Sequence, residues 1–196
     1  AYVFPQGIEA LGFVRLMGPY EGVAAPQEII AEGRMKVKRY WLFKSDPESY
    51  SFYDLIQEPN RTAEWDGVRN YQARNYLRDQ IKVGDGVLFY HSNTSDPGVV
   101  GTAEVVRDGY PDHTAMDPSS DHADAKSTAE NPIWFMVDIK ALYEFEEPLS
   151  LQTLKGTPGL ERMVLLQKGT RLSIQPVEER EWEVVLSLEG SLSSNI

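Results

Sequence analysis

The sequence predicts an α+β domain: a mixed, strongly curved sheet with flanking helices. Three observations carry that prediction. Strand-type segments outnumber helical ones and do not alternate regularly with long helices, which disfavours a doubly wound parallel sheet. The chain has 196 residues, 41% hydrophobic and 25% charged, so it can bury a core of ordinary globular composition. No internal repeat is visible, which disfavours solenoids and propellers.

Residues 1–34 pattern poorly. Gly7, Gly12, Gly18, Gly22 and Gly33 are interspersed with Pro5, Pro19 and Pro26. They are expected to form an N-terminal extension, weakly structured or a non-native leader, with the domain at 35–196. Residues 38–44 then read as a strand, ended by Ser45-Asp46-Pro47. Ser51, with Asp54 three residues later, is a capping-box-like start of a short helix that Pro59 stops. A second helix is predicted over residues 70–80, with Tyr76 and Leu77 inward and Arg74 and Arg78 outward. Lys82-Val83-Gly84-Asp85-Gly86 is a tight turn into a buried strand at 87–91. Residues 99–106 and 133–144 read as further strands. A helical turn is expected at 149–155, a short strand at 172–175, and a C-terminal helix at 177–188 after Pro176.

Composition excludes several functions. Cysteine is absent, which removes disulfide scaffolds, thiol catalysis, iron–sulfur clusters and cysteine-ligated zinc, including zinc deaminases of nucleobases. Thirty acidic and 19 basic residues give a net charge of −11, which argues against a broad, sequence-blind grip on phosphate backbones. The charge is uneven. Residues 36–82 hold nine basic and seven acidic side chains, whereas 104–148 hold three and eleven, so an anionic partner would meet the first half. The longest uncharged apolar runs, at 133–137 and 163–166, are strand-sized, so no membrane contact is expected. With no signal-peptide pattern, a cytoplasmic protein is expected. No Gly-rich phosphate loop of the usual form is present and no cofactor is expected.

Three segments mix aromatic, amide and charged residues at strand ends or helix starts. They are residues 40–47, Trp65-Asp66-Gly67-Val68-Arg69-Asn70-Tyr71-Gln72-Ala73-Arg74-Asn75, and Phe89-Tyr90-His91-Ser92-Asn93. Asn70, Gln72 and Asn75 can pair with the donor–acceptor edge of a base. Trp41, Trp65 and Tyr90 offer flat faces for stacking, worth about 1–3 kcal/mol per base. Against this, Trp41 and Tyr90 also suit a core, and Asp66 or Asn70 suits a helix cap.

These segments resemble the EVE domain. Tyr40-Trp41-Leu42-Phe43-Lys44-Ser45-Asp46-Pro47 is similar to the family's opening, with Asp46 where Glu is usual. Residues 65–75 resemble its central motif, Phe89-Tyr90-His91-Ser92 its strand motif, and Trp134-Phe135-Met136-Val137-Asp138 a later strand. The likeness spans roughly residues 38–189. It implies a PUA-like curved β-barrel related to YTH and ASCH domains, and a module that reads a modified base in DNA or RNA. The resemblance implies a pocket walled by Trp41 and Trp65 and lined by Lys44, Ser45, Asn70, Gln72 and Ser92. Arg69 and Arg74 would meet phosphates. Asp66, Val68, Asn75, Tyr90 and His91 complete the candidate ligand-binding set. The expected partner is a modified nucleotide or nucleic acid, with a protein partner or second copy at the N-terminal extension.

Two other readings compete. His91 at a strand end, with Lys44 and Asp66, is the candidate acid–base set for a small ASCH-like hydrolase or nuclease acting on a nucleoside or nucleic acid. A binding module is favoured over an enzyme, because a histidine in such a strand is more often structural. Asp112, His113, Asp117, Asp121, His122 and Asp124 are oxygen and imidazole donors for a divalent ion. Their spacing fits no EF-hand or helical zinc motif, and Pro111, Pro118 and Ser119-Ser120 favour a flexible, solvated loop.

Overall fold

The computed structural model describes residues 37–193. The expected extension, and any contact made through it, lies outside the described residues. Six strands form one sheet: β1 (Tyr40–Ser45), β2 (Thr62–Trp65), β3 (Gly86–His91), β4 (Gly98–Pro111), β5 (Phe135–Ser150) and β6 (Ile174–Val177). Their order is β2-β5-β4-β3-β1-β6. Only β1 and β3 pair in parallel; the other neighbours are antiparallel. The sheet is mixed, as expected. Its curl is carried by β4 and β5, whose pairing shifts register at four places. Each shift adds a local bend and strengthens the twist. The consequence is seen in the rings. Trp65 on edge strand β2 lies 5.3 Å from Phe43 on β1 and 5.4 Å from Phe89 on β3, although β5 and β4 separate them along the sheet. This closure is the PUA-like barrel that the family resemblance implies.

Alternation along β1 and β3 loads both sheet faces. Trp41, Phe43, Val87 and Phe89 point into the barrel with Val105, Val137 and Ile139. Tyr40, Leu42, Leu88 and Tyr90 point outward, onto a second core with Leu154, Leu160, Met163 and Val185. Those covering residues come from α3 (Leu151–Gly156), α4 (Glu179–Ser193) and the segment between them. Both faces being covered explains why the centres of β1 and β3 read as continuous apolar runs.

Helix α1 (Phe52–Gln57) starts as predicted. The Ser51 hydroxyl accepts from the Asp54 N–H, and the Asp54 carboxylate accepts from the Ser51 N–H, a reciprocal capping box. In α2 (Tyr71–Asn75), Asn70 Oδ1 caps the Gln72 and Ala73 N–H groups at 2.9 and 3.1 Å. The single helix expected over 70–80 instead widens into a π-helical turn at Tyr76–Gln80. There the Leu77 carbonyl presses on β4, and a Cβ at Gly109 would stand 2.2 Å from it, so that contact requires glycine. β2 is not predicted, β4 extends past both ends of the predicted strand, β5 starts at Phe135 rather than at 133 and runs on to Ser150, and Val177 belongs to β6 rather than to the last helix. Among the described residues no helix is long and apolar enough to cross a membrane.

One buried carboxylate fastens the start of β1 to the turn before β3. Asp85, 1% exposed, accepts from the Trp41 indole N–H at 2.9 Å and from the Arg39 and Lys82 backbone N–H groups at 3.1 and 3.0 Å. Asp85→Ala strands these donors and is expected to lower unfolding stability by roughly 2–4 kcal/mol, given about 1–3 kcal/mol per buried unsatisfied group. Urea unfolding measures this; an unchanged midpoint would mean that water replaces the carboxylate.

Candidate nucleic-acid site

A cleft of about 800 Å³ opens where the ends of β1 and β2 meet. One wall is the end of β1 and the following turn: Lys44, Ser45, Asp46, Ser49 and Tyr50. A second holds Glu58, Pro59, Thr62, Ala63 and Glu64. Trp65, Asp66, Gly67, Val68 and Arg69 form a third, and His122 and Ser173 complete the rim.

The β1 wall is held by short hydrogen bonds. Ser45 Oγ donates to the Tyr50 carbonyl at 2.6 Å, and the Ser92 hydroxyl and N–H both donate to the Ser45 carbonyl. Trp65 is 8% exposed, with Phe43, Phe89 and Tyr50 around its ring, so it is a floor rather than a free stacking face. The Tyr50 hydroxyl is buried with no hydrogen-bond partner among the described residues. Burial, then the charges of Glu58 and Asp54, pushes its pKa up to about 12, so it stays a neutral donor. Burial also draws the Lys44 ammonium below its ordinary value.

The Trp65–Arg69 wall depends on Asp112. This fully buried carboxylate accepts from the Gly67 N–H at 3.1 Å, Arg69 Nη1 at 2.7 Å, the Thr114 N–H and hydroxyl at 2.9 and 2.7 Å, and the Ala115 N–H. Burial is the largest single influence and pushes its pKa up; hydrogen bonds from Arg69 and Thr114, and the Arg69 charge, outweigh it and hold the carboxyl below its ordinary value. Arg69 also donates from Nε, at 2.9 Å, and from Nη2 to the His122 carbonyl. That brings His122 onto Gly67, whose φ is +71° and where a Cβ would come within 2.6 Å of the imidazole. His122 Nδ1 sits 3.5 Å from Asp66.

The expected solvated loop is exposed over most of its length, and the correction falls on Asp112. Asp112 is buried, the Trp134 indole donates to Asp124 at 2.7 Å, and Asp124 N–H returns to the Ala115 carbonyl at 2.8 Å. Of the donors weighed for a metal, Asp117 and Asp124 accept from their own turns and Asp112 from Gly67, Arg69 and Thr114, and the described residues hold no cluster of three or more His, Asp or Glu able to bind an ion.

Of the sequence-predicted residues, Lys44, Ser45, Trp65, Asp66, Val68 and Arg69 line the cleft, with Ser92 directly behind Ser45. The others do not. Trp41 is 2% exposed inside the barrel, and its indole is spent on Asp85. Tyr90 lies on the opposite sheet face, in the outer core. Asn70 is a helix cap, Gln72 donates to the Tyr76 hydroxyl, and Asn75 accepts from Arg74. Arg74 donates to the Ile133 carbonyl at 3.0 Å. Arg69 is a clamp, its guanidinium turned to protein acceptors rather than outward to phosphate. Tyr50, Glu58, Glu64, His122 and Ser173 were missed. Only the helix-breaking Gly67 after Trp65-Asp66 hinted at a close approach; no local signal marked its occupant, His122.

Fold and site together define a small PUA-like barrel whose cleft has an aromatic floor and a polar rim. The EVE domain model matches residues 39–188, and the chain belongs to the EVE domain family. It is 40% identical over 173 residues to thymocyte nuclear protein 1 of Mus musculus, covering 80% of this chain and 76% of that protein. The Homo sapiens protein of that name is 42% identical over 167 residues, covering 76% and 73%. Among solved structures, a hypothetical protein from Leishmania major is 45% identical with a TM-score of 0.75, covering 80% of this chain and 98% of that one. Human THYN1 protein in complex with 5-methylcytosine-containing DNA is 42% identical with a TM-score of 0.72, covering 78% and 98%.

Two predictions follow from the hydrogen bonds. Asp112→Asn should speed hydrogen exchange at the Gly67, Thr114 and Ala115 amides while leaving β1 and β3 protected; unchanged exchange there would mean that the clamp is dispensable. His91 Nε2 accepts the Phe52 N–H at 3.1 Å, which requires the neutral ring. Burial, partly opposed by Asp54, holds its pKa below the ordinary 6.5. The unfolded chain thus takes up this proton first. The stabilisation is full above about pH 6.5 and is lost as pH falls through the folded value. Melting temperature should drop across that window more steeply in the native protein than in His91→Gln.

Proposed function

We propose that this chain binds a modified base of DNA or RNA in the cleft, with 5-methylcytosine in DNA as the leading ligand. The observation that carries this reading is that Trp65 to Arg69, in the family's central motif, forms a wall of a cleft large enough for a nucleotide. A 42% identical relative has been solved with DNA bearing that base.

The lining suits cytosine. Its N4 amino group is a donor, and carboxylates at Asp46, Glu58, Glu64 and Asp66 supply acceptors. Its ring nitrogen and carbonyl are acceptors, for which the Lys44 ammonium and Tyr50 phenol are donors. Ala63, Pro59 and Val68 give apolar surface for the methyl group. A base reaches such a cleft only by leaving its stack, at a cost of a few kcal/mol that base-edge hydrogen bonds offset.

The hydrolase reading draws no support from the geometry. Of the acid–base set, Lys44 and Asp66 line the cleft, but His91 does not and its Nε2 caps α1. The proposal requires a compartment holding nucleic acid. The cytoplasmic location expected from the sequence would offer RNA; the nucleus, for which the relatives are named, would offer DNA.

Anisotropy titrations at physiological salt should compare oligonucleotides carrying cytosine or 5-methylcytosine at one position. The methylated strand is expected to bind roughly ten-fold tighter, as one buried methyl group permits. Asp66→Ala should weaken both by about ten-fold, the scale of one base-edge contact. Equal affinity for the two strands, together with indifference to Asp66→Ala, would overturn the assignment.

A further inference from the structure

Resting on the base-pocket reading, we infer that Tyr71 and Arg74 form a second subsite outside the cleft, which holds the nucleotide flanking the inserted base. The two sites are joined by a ladder of side chains. Arg69 lines the cleft, and its guanidinium carbon stands 5.4 Å from the Trp134 ring centroid. Trp134 in turn lies 5.0 Å from Tyr71, with the ring planes 33° apart. The Arg74 guanidinium carbon is 4.9 Å from the Tyr71 ring. The ladder runs from buried to open: Trp134 is 5% exposed and Tyr71 is 59% exposed.

A single exposed aromatic residue is ordinary. Tyr71 differs in its support. Its inner neighbours, Trp134 and an Arg74 tied to the Ile133 carbonyl, both belong to or hold the 133–134 segment. The ring is therefore fixed while most of the side chain stays open to solvent. A rigid, open ring stacks any base, because every base has a π-face.

The charges also single out this place. Among the cations between residues 69 and 82, Arg69 has Asp112 at 2.7 Å, Arg78 has Asp79 at 2.8 Å and Lys82 has Asp108 at 3.7 Å. Arg74 alone of these makes no salt bridge among the described residues: its hydrogen-bond partners, Asn75 Oδ1 and the Ile133 carbonyl, are neutral, and Asp79, the carboxylate its charge reaches, is already hydrogen-bonded to Arg78. In a chain of net charge −11, an arginine without a salt bridge beside an open ring opposes a phosphate less than the paired cations of this segment do. The occupant that matches both groups is a nucleotide: base on Tyr71, phosphate on Arg74.

The test compares two probes, free 5-methyl-2′-deoxycytidine and a short single-stranded oligonucleotide carrying 5-methylcytosine inside it. Tyr71→Ala should weaken the oligonucleotide roughly 5- to 150-fold and leave the nucleoside unchanged. Tyr71→Phe should keep the native affinity for both. Arg74→Gln should reduce the salt dependence of oligonucleotide binding by about 0.7 in logarithmic slope. It removes no ring, and so carries the test if Tyr71→Ala fails to fold. Native oligonucleotide affinity in Tyr71→Ala and an unchanged slope in Arg74→Gln would overturn the inference. So would equal losses on both probes, which would mean that Tyr71 acts through Trp134 on the cleft. If the native protein binds both probes through Asp66 and ignores these changes, only the flanking subsite fails. If the native protein binds neither probe, the base-pocket reading fails with it.

Discussion

The pairing of Asp112 with Arg69 is the constraint around which the site is arranged. A carboxylate with no solvent exposure is costly unless its lone pairs are filled. Here they are filled from two stretches of chain: Gly67 and Arg69 on one side, and the turn at Thr114 and Ala115 on the other. One charge thereby welds the exit of β2 to the long loop between β4 and β5. Arg69, once oriented, carries the same connection to the His122 carbonyl. The cleft is therefore not a gap left between rigid elements. One of its walls is assembled from a backbone that would otherwise have no reason to stay.

That wall works because the sheet closes first. The register shifts in β4 and β5 curl the sheet until Trp65 packs on Phe43 and Phe89. The same closure seals the barrel interior and floors the cleft. Trp65 thus belongs to core and site at once, and its removal would read as instability before it read as lost binding. Asp66 and Tyr71 lie on the more open parts of the same segment, where chemistry separates more cleanly from folding.

What the sequence made legible follows from how local each signal is. The Ser51–Asp54 box, the Asn70 cap and the apolar runs of β1 and β3 are short-range patterns, and all formed as read. β2 has four residues and stands only because β5 pairs with it, so no pattern of its own announces it. Trp41 looked like a stacking face because its partner, Asp85, is 44 positions away. The loop holding Asp112 reads as solvated because Asp and Ser dominate it, and most of it is exposed. Yet those side chains mostly bond their own turns: Asp117 accepts from the Ser119 N–H and Asp124 from the Lys126 N–H. Polarity marked the turns correctly, but it could not show that one of these carboxylates is buried against Arg69.

The acidity of the chain, which at first seems at odds with nucleic-acid binding, sorts the parts of a nucleotide. Four carboxylates line the cleft against Lys44, whose charge burial already disfavours, and Arg69, whose charge Asp112 neutralises. A phosphate driven into that space would meet net repulsion in a partly desolvated site. A neutral base presenting an amino edge would meet acceptors instead. On the proposed reading, then, the cleft admits the base and rejects the backbone, and the phosphates lie outside it. Nonspecific affinity for nucleic acid comes chiefly from phosphate neutralisation, so the negative field suppresses that background as well. Discrimination on that reading rests on the inserted base, the division expected of a module that reads one base rather than coats a strand.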